Sequence, residues 1–322
     1  MTTYILRRLL QMIPLLIGVT LITFAIINFI PGSPIQRLRD NPKIRPGDLV
    51  ELEKQLGLDK PWPERYVTWV WDLAHGDLGV SMYNRLPVAD RIWAVIPNTL
   101  LLMTVSLAVA LAIAIPLGIY SAIKHGSAFD RTSTVGAVGL YSMPDFYLAL
   151  LLVILFALKF REWGLPSLPV GGMVNPRGGG DLLDRIQHMI LPVLSLALVQ
   201  IGGWSIFFRS SMLETLSQEF VRTARGKGLP ERTVLYVHAF KNAFLPLITI
   251  VGLSLPGLFG GALFIETIFA WPGMGRLTYE AVGRRDYTMI MATTLMFSVL
   301  TIVSNLVADV LYAVLNPRIR LE

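Results

Sequence analysis

Glu219-Phe-Val-Arg-Thr-Ala-Arg-Gly-Lys-Gly-Leu-Pro-Glu-Arg-Thr-Val-Leu-Tyr-Val-His-Ala-Phe-Lys-Asn-Ala-Phe-Leu-Pro246 is a basic, hydrophilic segment set between two long apolar runs. Its apolar positions recur at helical spacing, and Gly228-Leu229-Pro230 interrupts them, so two short helices are expected, with Pro230 opening the second. Leu213, Leu216 and Phe220 form one apolar face ahead of Val221, while Arg222, Arg225 and Lys227 point away from Val221 and Ala224. Val234, Leu235 and Val237 are the residues the second helix is expected to bury. Such a segment is either an interfacial helix drawn onto anionic lipid by its Lys and Arg, or a shaped knob offered to a soluble partner. Few bases, mixed with acids in two helices joined by Gly-Leu-Pro, favour the knob.

Outward from that segment the chain is built for lipid. Charged residues are 16% of the 322 and hydrophobic ones 53%, whereas soluble domains carry about 25% charged residues. Six runs reach the roughly 20 residues a membrane-crossing helix needs: about 9–30, 99–123, 134–158, 189–208, 242–265 and 288–315. The first is longer than a signal-peptide core and follows Arg7-Arg8, so it reads as a retained span. Pro14, Pro116, Pro144, Pro192 and Pro256 fall inside the runs, which a helix bundle tolerates when neighbours absorb the freed carbonyls. Gly136, Gly139, Gly202, Gly203 and Gly257 are expected to let helices approach closely. The chain has no cysteine, which excludes disulfides and thiolate chemistry. Its four histidines (His75, His125, His188, His238) make no ligand-spaced pair, and no metal or nucleic acid is expected.

Charge sets the orientation. Arg7, Arg8, Lys124, Arg131, Arg209, Arg222, Arg225, Lys227, Arg232, Lys241, Arg318 and Arg320 fall on one side with only Asp130, Glu214, Glu219, Glu231 and Glu322, while the rest of the chain is near balance. The positive-inside rule then puts both termini and the basic segment in the cytoplasm. The expected organisation is a cytoplasmic N-terminus and first helix over 1–30, a helical extracytoplasmic insertion over 31–98, and a five-helix core over 99–322 holding the basic segment 209–241. Within the insertion, a helix over 48–57 with a glycine stop and an amphipathic helix over 62–73, with Tyr66, Trp69, Val70 and Leu73 on one side, are expected. Gly76-Asp-Leu-Gly-Val-Ser81 reads as a tight turn. Two span acids draw attention, Asp145 and Asp309. Asp145 either lines a pathway or caps a helix broken at Pro144. Asp309 is read as structurally paired.

Arg222-Thr-Ala-Arg-Gly-Lys-Gly-Leu229 followed by Lys241-Asn-Ala-Phe-Leu-Pro246 resembles the cytoplasmic "EAA" loop of ABC importer permeases, in its dipeptide/oligopeptide/nickel branch. The first acid and first alanine of the general motif are missing, but the peptide-importer variant commonly reads Arg-Thr-Ala-Arg-x-Lys-Gly-Leu. Further matches occur in order along nearly the whole chain: Tyr4-Ile-Leu-Arg-Arg-Leu-Leu10 with Pro31-Gly-Ser-Pro34, Leu56-Gly-Leu-Asp59, Gly76-Asp-Leu-Gly-Val-Ser81, Ile96-Pro-Asn-Thr99, Ser142-Met-Pro-Asp-Phe146, Phe269-Ala-Trp-Pro-Gly-Met-Gly-Arg276, Arg285-Asp-Tyr287, Asp309-Val-Leu-Tyr312 and Asn316-Pro-Arg-Ile-Arg320.

The resemblance implies an all-α membrane protein with the six-helix type I importer fold, in the bacterial inner membrane. It implies a homologous second permease, two ABC ATPase subunits and an extracytoplasmic substrate-binding protein as partners, with di- or oligopeptide as substrate. It makes Arg222, Thr223, Ala224, Arg225, Gly226, Lys227, Gly228, Leu229 and Glu231 the ATPase-coupling residues, with the coupling helix over Gly226 to Glu231. Pro144, Asp145 and Phe146 are pathway candidates. The chain has no GxxxxGK motif with a following Ser or Thr, so ATP and Mg belong to the partners and this subunit is not an enzyme. The alternatives are an ion-coupled secondary transporter, disfavoured by having only two candidate acids and no internal repeat, and an importer for another solute such as a nickel chelate, glutathione, haem or sugar.

Overall fold

The computed structural model describes residues 2–29, 47, 53, 54, 57–176, 178 and 180–315. Residues 31–34 and 316–320, and most of the helix expected over 48–57, lie outside them. Gly57, expected as a glycine stop, adopts φ +62°, and its N–H donates to Lys54 O at 2.9 Å.

Among the described residues the regular structure is helical, apart from an isolated bridge between Val80 and Pro87. The helices are α1 (Thr2–Phe29), α2 (Trp62–Ala74), α3 (Val88–Ile123), α4 (Ala128–Tyr141), α5 (Asp145–Leu152), α6 (Leu182–Leu216), α7 (Glu219–Gly226), α8 (Glu231–Thr233), α9 (Phe240–Ile268), α10 (Met274–Arg284) and α11 (Tyr287–Leu315). A π-helical turn at Val153–Lys159 extends α5 to Phe160–Glu162, and another at Val234–Ala239 joins α8 to α9. Among the described residues, five stretches are long and apolar enough to cross a membrane: Leu10–Phe29, Val88–Ile123, Leu182–Leu216, Glu231–Gly257 and Tyr287–Val310. α3 has 36 residues, about 54 Å at 1.5 Å per residue, so it outreaches a hydrocarbon core of about 30 Å.

The third expected span is not continuous. α4 and α5 meet at 106°, and only as a pair do they make a sixth span. Pro144 is the cause. It sits at φ −59°, ψ 137° just before α5, it has no N–H to continue the ladder, and its ring disfavours helical geometry at Met143.

The chain divides into two units, Met1–Asn98 with Gly273–Ile302, and Thr99–Pro272 with Val303–Glu322. In the first, Val88, Ile92 and Ile96 form an i, i+4, i+8 stripe on α3 that packs with Met274, Leu277 and Ala281 of α10 and with Met289 and Ala292 of α11. Phe24 and Ile27 of α1 pack with Tyr66 and Trp69 of the amphipathic α2. Val67 and Trp71 lie exposed on the opposite side of α2. Two quoted motifs meet in this unit. Asp286, next to the left-handed Arg285 that ends α10, caps α11. Its carboxylate accepts from Ser81 Oγ, from Met82 N at 3.0 Å and from Met289 N at 3.2 Å.

In the second unit, Trp204, Phe208 and Met212 of α6 pack with Ala110, Ala114 and Ala122 of α3 and with Ala243 and Leu247 of α9. Small residues set the spacing. A Cβ on Gly202 would stand 2.5 Å from Ala137 O and 2.9 Å from Tyr141 N of α4, and one on Gly203 would meet the Tyr141 ring at 2.8 Å. Gly136, Gly139 and Gly257 differ from expectation: nothing lies within 4 Å of a Cβ there, so they mediate no close helix contact within the chain. Glu266, just past the end of the fifth expected span, lies on the last turns of α9 with 0% exposure. It accepts from Thr99 Oγ1 at 2.6 Å, and its carbonyl accepts from Trp271 N at 2.8 Å.

Candidate functional site

α6 ends at Leu216, Gln218 precedes α7, and α7 runs only eight residues. Its apolar face is narrow: Val221 and Ala224 are buried against Val234, with Leu216 beside them. Phe220, expected to share a face with Leu213 and Leu216, is 42% exposed. The break between α6 and α7 changes the helical phase and turns it outward.

The end of α7 explains its glycine. Gly228 N donates to Arg225 O at 2.9 Å, and Leu229 N reaches back to Ala224 O at 3.4 Å. This is the paired closure of a helix whose following residue is left-handed. Gly228 supplies that residue at φ +75°, with nothing within 4 Å of a Cβ. Backbone conformation, rather than space inside the chain, therefore calls for glycine here. Pro230 then opens α8, its carbonyl accepting from Thr233 N at 2.9 Å and Val234 N at 3.1 Å. Residues 227–230 thus form a turn, so the stretch from Gly226 to Glu231 is the end of one short helix, a turn and the start of the next rather than a helix of its own.

A salt bridge straddles the turn. Arg225 Nη2 donates to Glu231 Oε1 at 2.7 Å and Nε donates to Oε2 at 3.2 Å. This bond raises the Arg225 pKa above its ordinary value, against a smaller opposing effect of burial. Both side chains are about half exposed, so the pair fixes geometry and contributes only about 0–1 kcal/mol. Arg222 pairs with Glu219 at 3.1 Å on the open surface. Lys227 and Arg232 have no ion-pair partner among the described residues. Beyond the turn, Val234 is buried, but Val237 is 57% exposed. The wider i→i+5 winding carries Val237 off the face that a regular α-helix would give it.

The pathway candidates lie at the α4–α5 bend. Pro144 precedes α5, and Asp145 begins it half-buried, with Oδ1 accepting Phe146 N at 2.8 Å. The carboxylate is well placed at the positive end of the helix. Phe146 lies 6.1 Å from Phe264, ring centre to ring centre, and Tyr141, Met143, Phe146, Tyr147 and Phe264 are all exposed. Asp309 lies half-buried on α11.

One cluster was not foreseen. Asp130, counted from the sequence among the few acids of the basic face, is 2% exposed. Its carboxylate accepts from Arg209 Nη2 at 2.7 Å and from Gly126 N at 2.9 Å, and His125 Nδ1 stands 3.0 Å from Arg209 Nη2. Ser127 caps α4 by accepting Asp130 N at 3.2 Å. The Ser127-x-x-Asp130 spacing and a lone Arg209 near the end of an apolar run were the available signals.

Residues 114–321 match the model of "Binding-protein-dependent transport system inner membrane component", and residues 1–103 that of "Binding-prot-dependent transport system membrane comp, N-term". The chain is 40% identical to the dipeptide transport system permease protein DppB of Escherichia coli K12, over 99% of both chains. It is likewise 40% identical to the oligopeptide transport system permease protein AppB of Bacillus subtilis 168, over 99% of both. Among solved structures, an inward-facing form of the MetNI methionine ABC transporter aligns with TM-score 0.55 at 14% identity, covering 70% of this chain and 96% of that one. An amino acid ABC transporter aligns with TM-score 0.51 at 12% identity, covering 72% and 95%. These two support the type I importer permease fold. The chain therefore belongs to the binding-protein-dependent transport system inner membrane components, the multi-pass permeases of ABC importers.

Proposed function

We propose that this permease imports di- or oligopeptides, pairs with a homologous second permease, receives substrate from an extracytoplasmic binding protein, and is driven by two ABC ATPase subunits. The observation carrying the substrate class is the 40% identity across 99% of both chains to permeases named for dipeptide and oligopeptide transport. The inner-face excess of Lys and Arg supports cytoplasmic termini and a cytoplasmic α7–turn–α8 knob. That knob is the ATPase docking element in this reading: α7 is short, its end is closed by Gly228, and the Arg225–Glu231 bridge holds the turn, so a push on it moves a defined shape. Lys227 and Arg222, on its open side, orient the ATPase rather than supply most of the affinity. The aromatic bend at Tyr141–Tyr147 borders the route.

The test is uptake of a labelled dipeptide by proteoliposomes carrying the full importer and its binding protein. Uptake is expected to require ATP inside the cytoplasmic compartment and to survive a protonophore. Uptake that persists without ATP and collapses with the proton gradient would establish the ion-coupled alternative. ATP-driven uptake of a sugar or nickel chelate but no peptide would overturn the substrate assignment alone.

A further inference from the structure

A cavity of about 430 Å³ lies in the first unit, lined by Arg65, Lys54, Lys60, Trp69, Asp72 and Phe24 among others. Its polar lining is rich in donors. Three cations face one acid, and the indole N–H of Trp69, which can only donate, is buried without a hydrogen-bond partner. Arg65 is partly committed, donating to Asn28 Oδ1 at 2.9 Å and lying 5.7 Å over the Phe24 ring. Burial lowers its pKa, with a smaller opposing influence from Tyr287. A guanidinium has five donors, so most remain for a ligand. Lys60 holds Glu64 at 3.2 Å on an exposed rim. An occupant that satisfies these groups carries a negative charge and several acceptor oxygens.

The surroundings point to an amphiphile. On the face of α1 turned away from the cavity-lining Phe24, Ile27 and Asn28, Ile22, Ile26 and Phe29 form an exposed apolar stripe at i, i+4 and i+7 that suits acyl chains, with exposures of 62%, 56% and 74%. The stripe ends where Phe29 meets Trp62 at the start of α2, ring centres 6.3 Å apart. Trp at such a point suits the boundary between acyl chains and headgroups, and the long Lys and Arg side chains suit reaching a phosphate from it. We propose that this cavity binds the headgroup of one anionic phospholipid, its phosphate held by Arg65, Lys60, Lys54 and the Trp69 N–H, a headgroup hydroxyl donating to Asp72, and its acyl chains running out into the surrounding bilayer. The lipid adds to the contacts that already join α1 to α2, among them the Phe24–Tyr66 edge contact, the Arg65–Asn28 bond and the Tyr66 hydroxyl bond to Ile17 O.

Native mass spectrometry of the assembled, detergent-solubilised importer tests this, with phosphatidylglycerol, phosphatidylcholine of the same acyl chains, and inorganic phosphate as probes. The wild type is expected to retain phosphatidylglycerol about tenfold better than phosphatidylcholine, from charge-assisted bonds that only the anionic headgroup leaves uncompensated. Trp69→Phe keeps the ring and removes one donor, and Lys60→Gln alters only the rim. Each is expected to reduce retention several-fold while the melting temperature in lipid-free detergent stays unchanged. Equal retention of the two lipids, or retention indifferent to both variants and to Arg65→Gln, overturns the proposal. So does displacement of phosphatidylglycerol by equimolar inorganic phosphate, which marks a free-phosphate site. None of these outcomes bears on peptide transport.

Discussion

At Gly228 the backbone sits at φ +75° with open space around the missing Cβ, so substitutions there are graded by conformation and not by size inside the chain. Gly228→Val forces a β-branched residue into the left-handed region, at a cost on the order of 1–2 kcal/mol, and is expected to abolish peptide-stimulated ATP hydrolysis in the assembled importer. Gly228→Asn, which tolerates that region better, is expected to keep a measurable share. Equal loss in both variants would point instead to close approach of a partner. Asp130 makes the second prediction. Asp130→Asn leaves Arg209 without its charge partner and is expected to cost about 3 kcal/mol, the low end for a broken buried pair because Arg209 keeps some water contact. The measurement is the melting temperature of the purified complex. The Asp130→Asn/Arg209→Gln double variant should lose less than the two single variants combined.

Among elements, the spans were legible and their interruptions less so. Runs of apolar residues mark a membrane helix directly, and α3, α6, α9 and α11 appear where expected, though longer at their ends. Pro144 was visible, but a proline inside an apolar run kinks one helix and breaks another. Deciding between them depends on whether neighbours satisfy the freed carbonyls, which tertiary structure settles. Phe220 and Val237 were misplaced for a related reason. A two-residue break and a π turn each shift helical phase, and neither has a strong single-chain signal. Side-chain partners were least legible. Gly76–Ser81 and Arg285–Tyr287 could each be quoted as motifs, but nothing in either says that Ser81 and Asp286 bond over 205 positions of sequence. The α4–α6 contact gives a prediction at this scale. Gly202→Leu places a side chain where even a Cβ lies 2.5 Å from Ala137 O, and is expected to lower stability by about 1–3 kcal/mol or more, read as reduced folded permease in the membrane. Gly136→Leu, facing open space, is expected to fold normally.

For the whole molecule, the proposed function puts the energy source outside this chain, so the central claim concerns where that energy enters. The α7–turn–α8 knob is the entry point in this account, and the lack of cysteine in the sequence makes a direct test clean. Lys227→Cys is placed on the turn and Lys60→Cys on the rim of the first unit's cavity, each in the assembled importer containing cysteine-free ATPase subunits with single cysteines introduced across their permease-facing surface. Cross-linking with a short bifunctional maleimide is then read by gel and mass spectrometry. The account predicts an ATPase–permease product from Lys227→Cys, changing in yield when ATP is bound, and none from Lys60→Cys. No ATPase product from Lys227→Cys, or an equal one from Lys60→Cys, would contradict it.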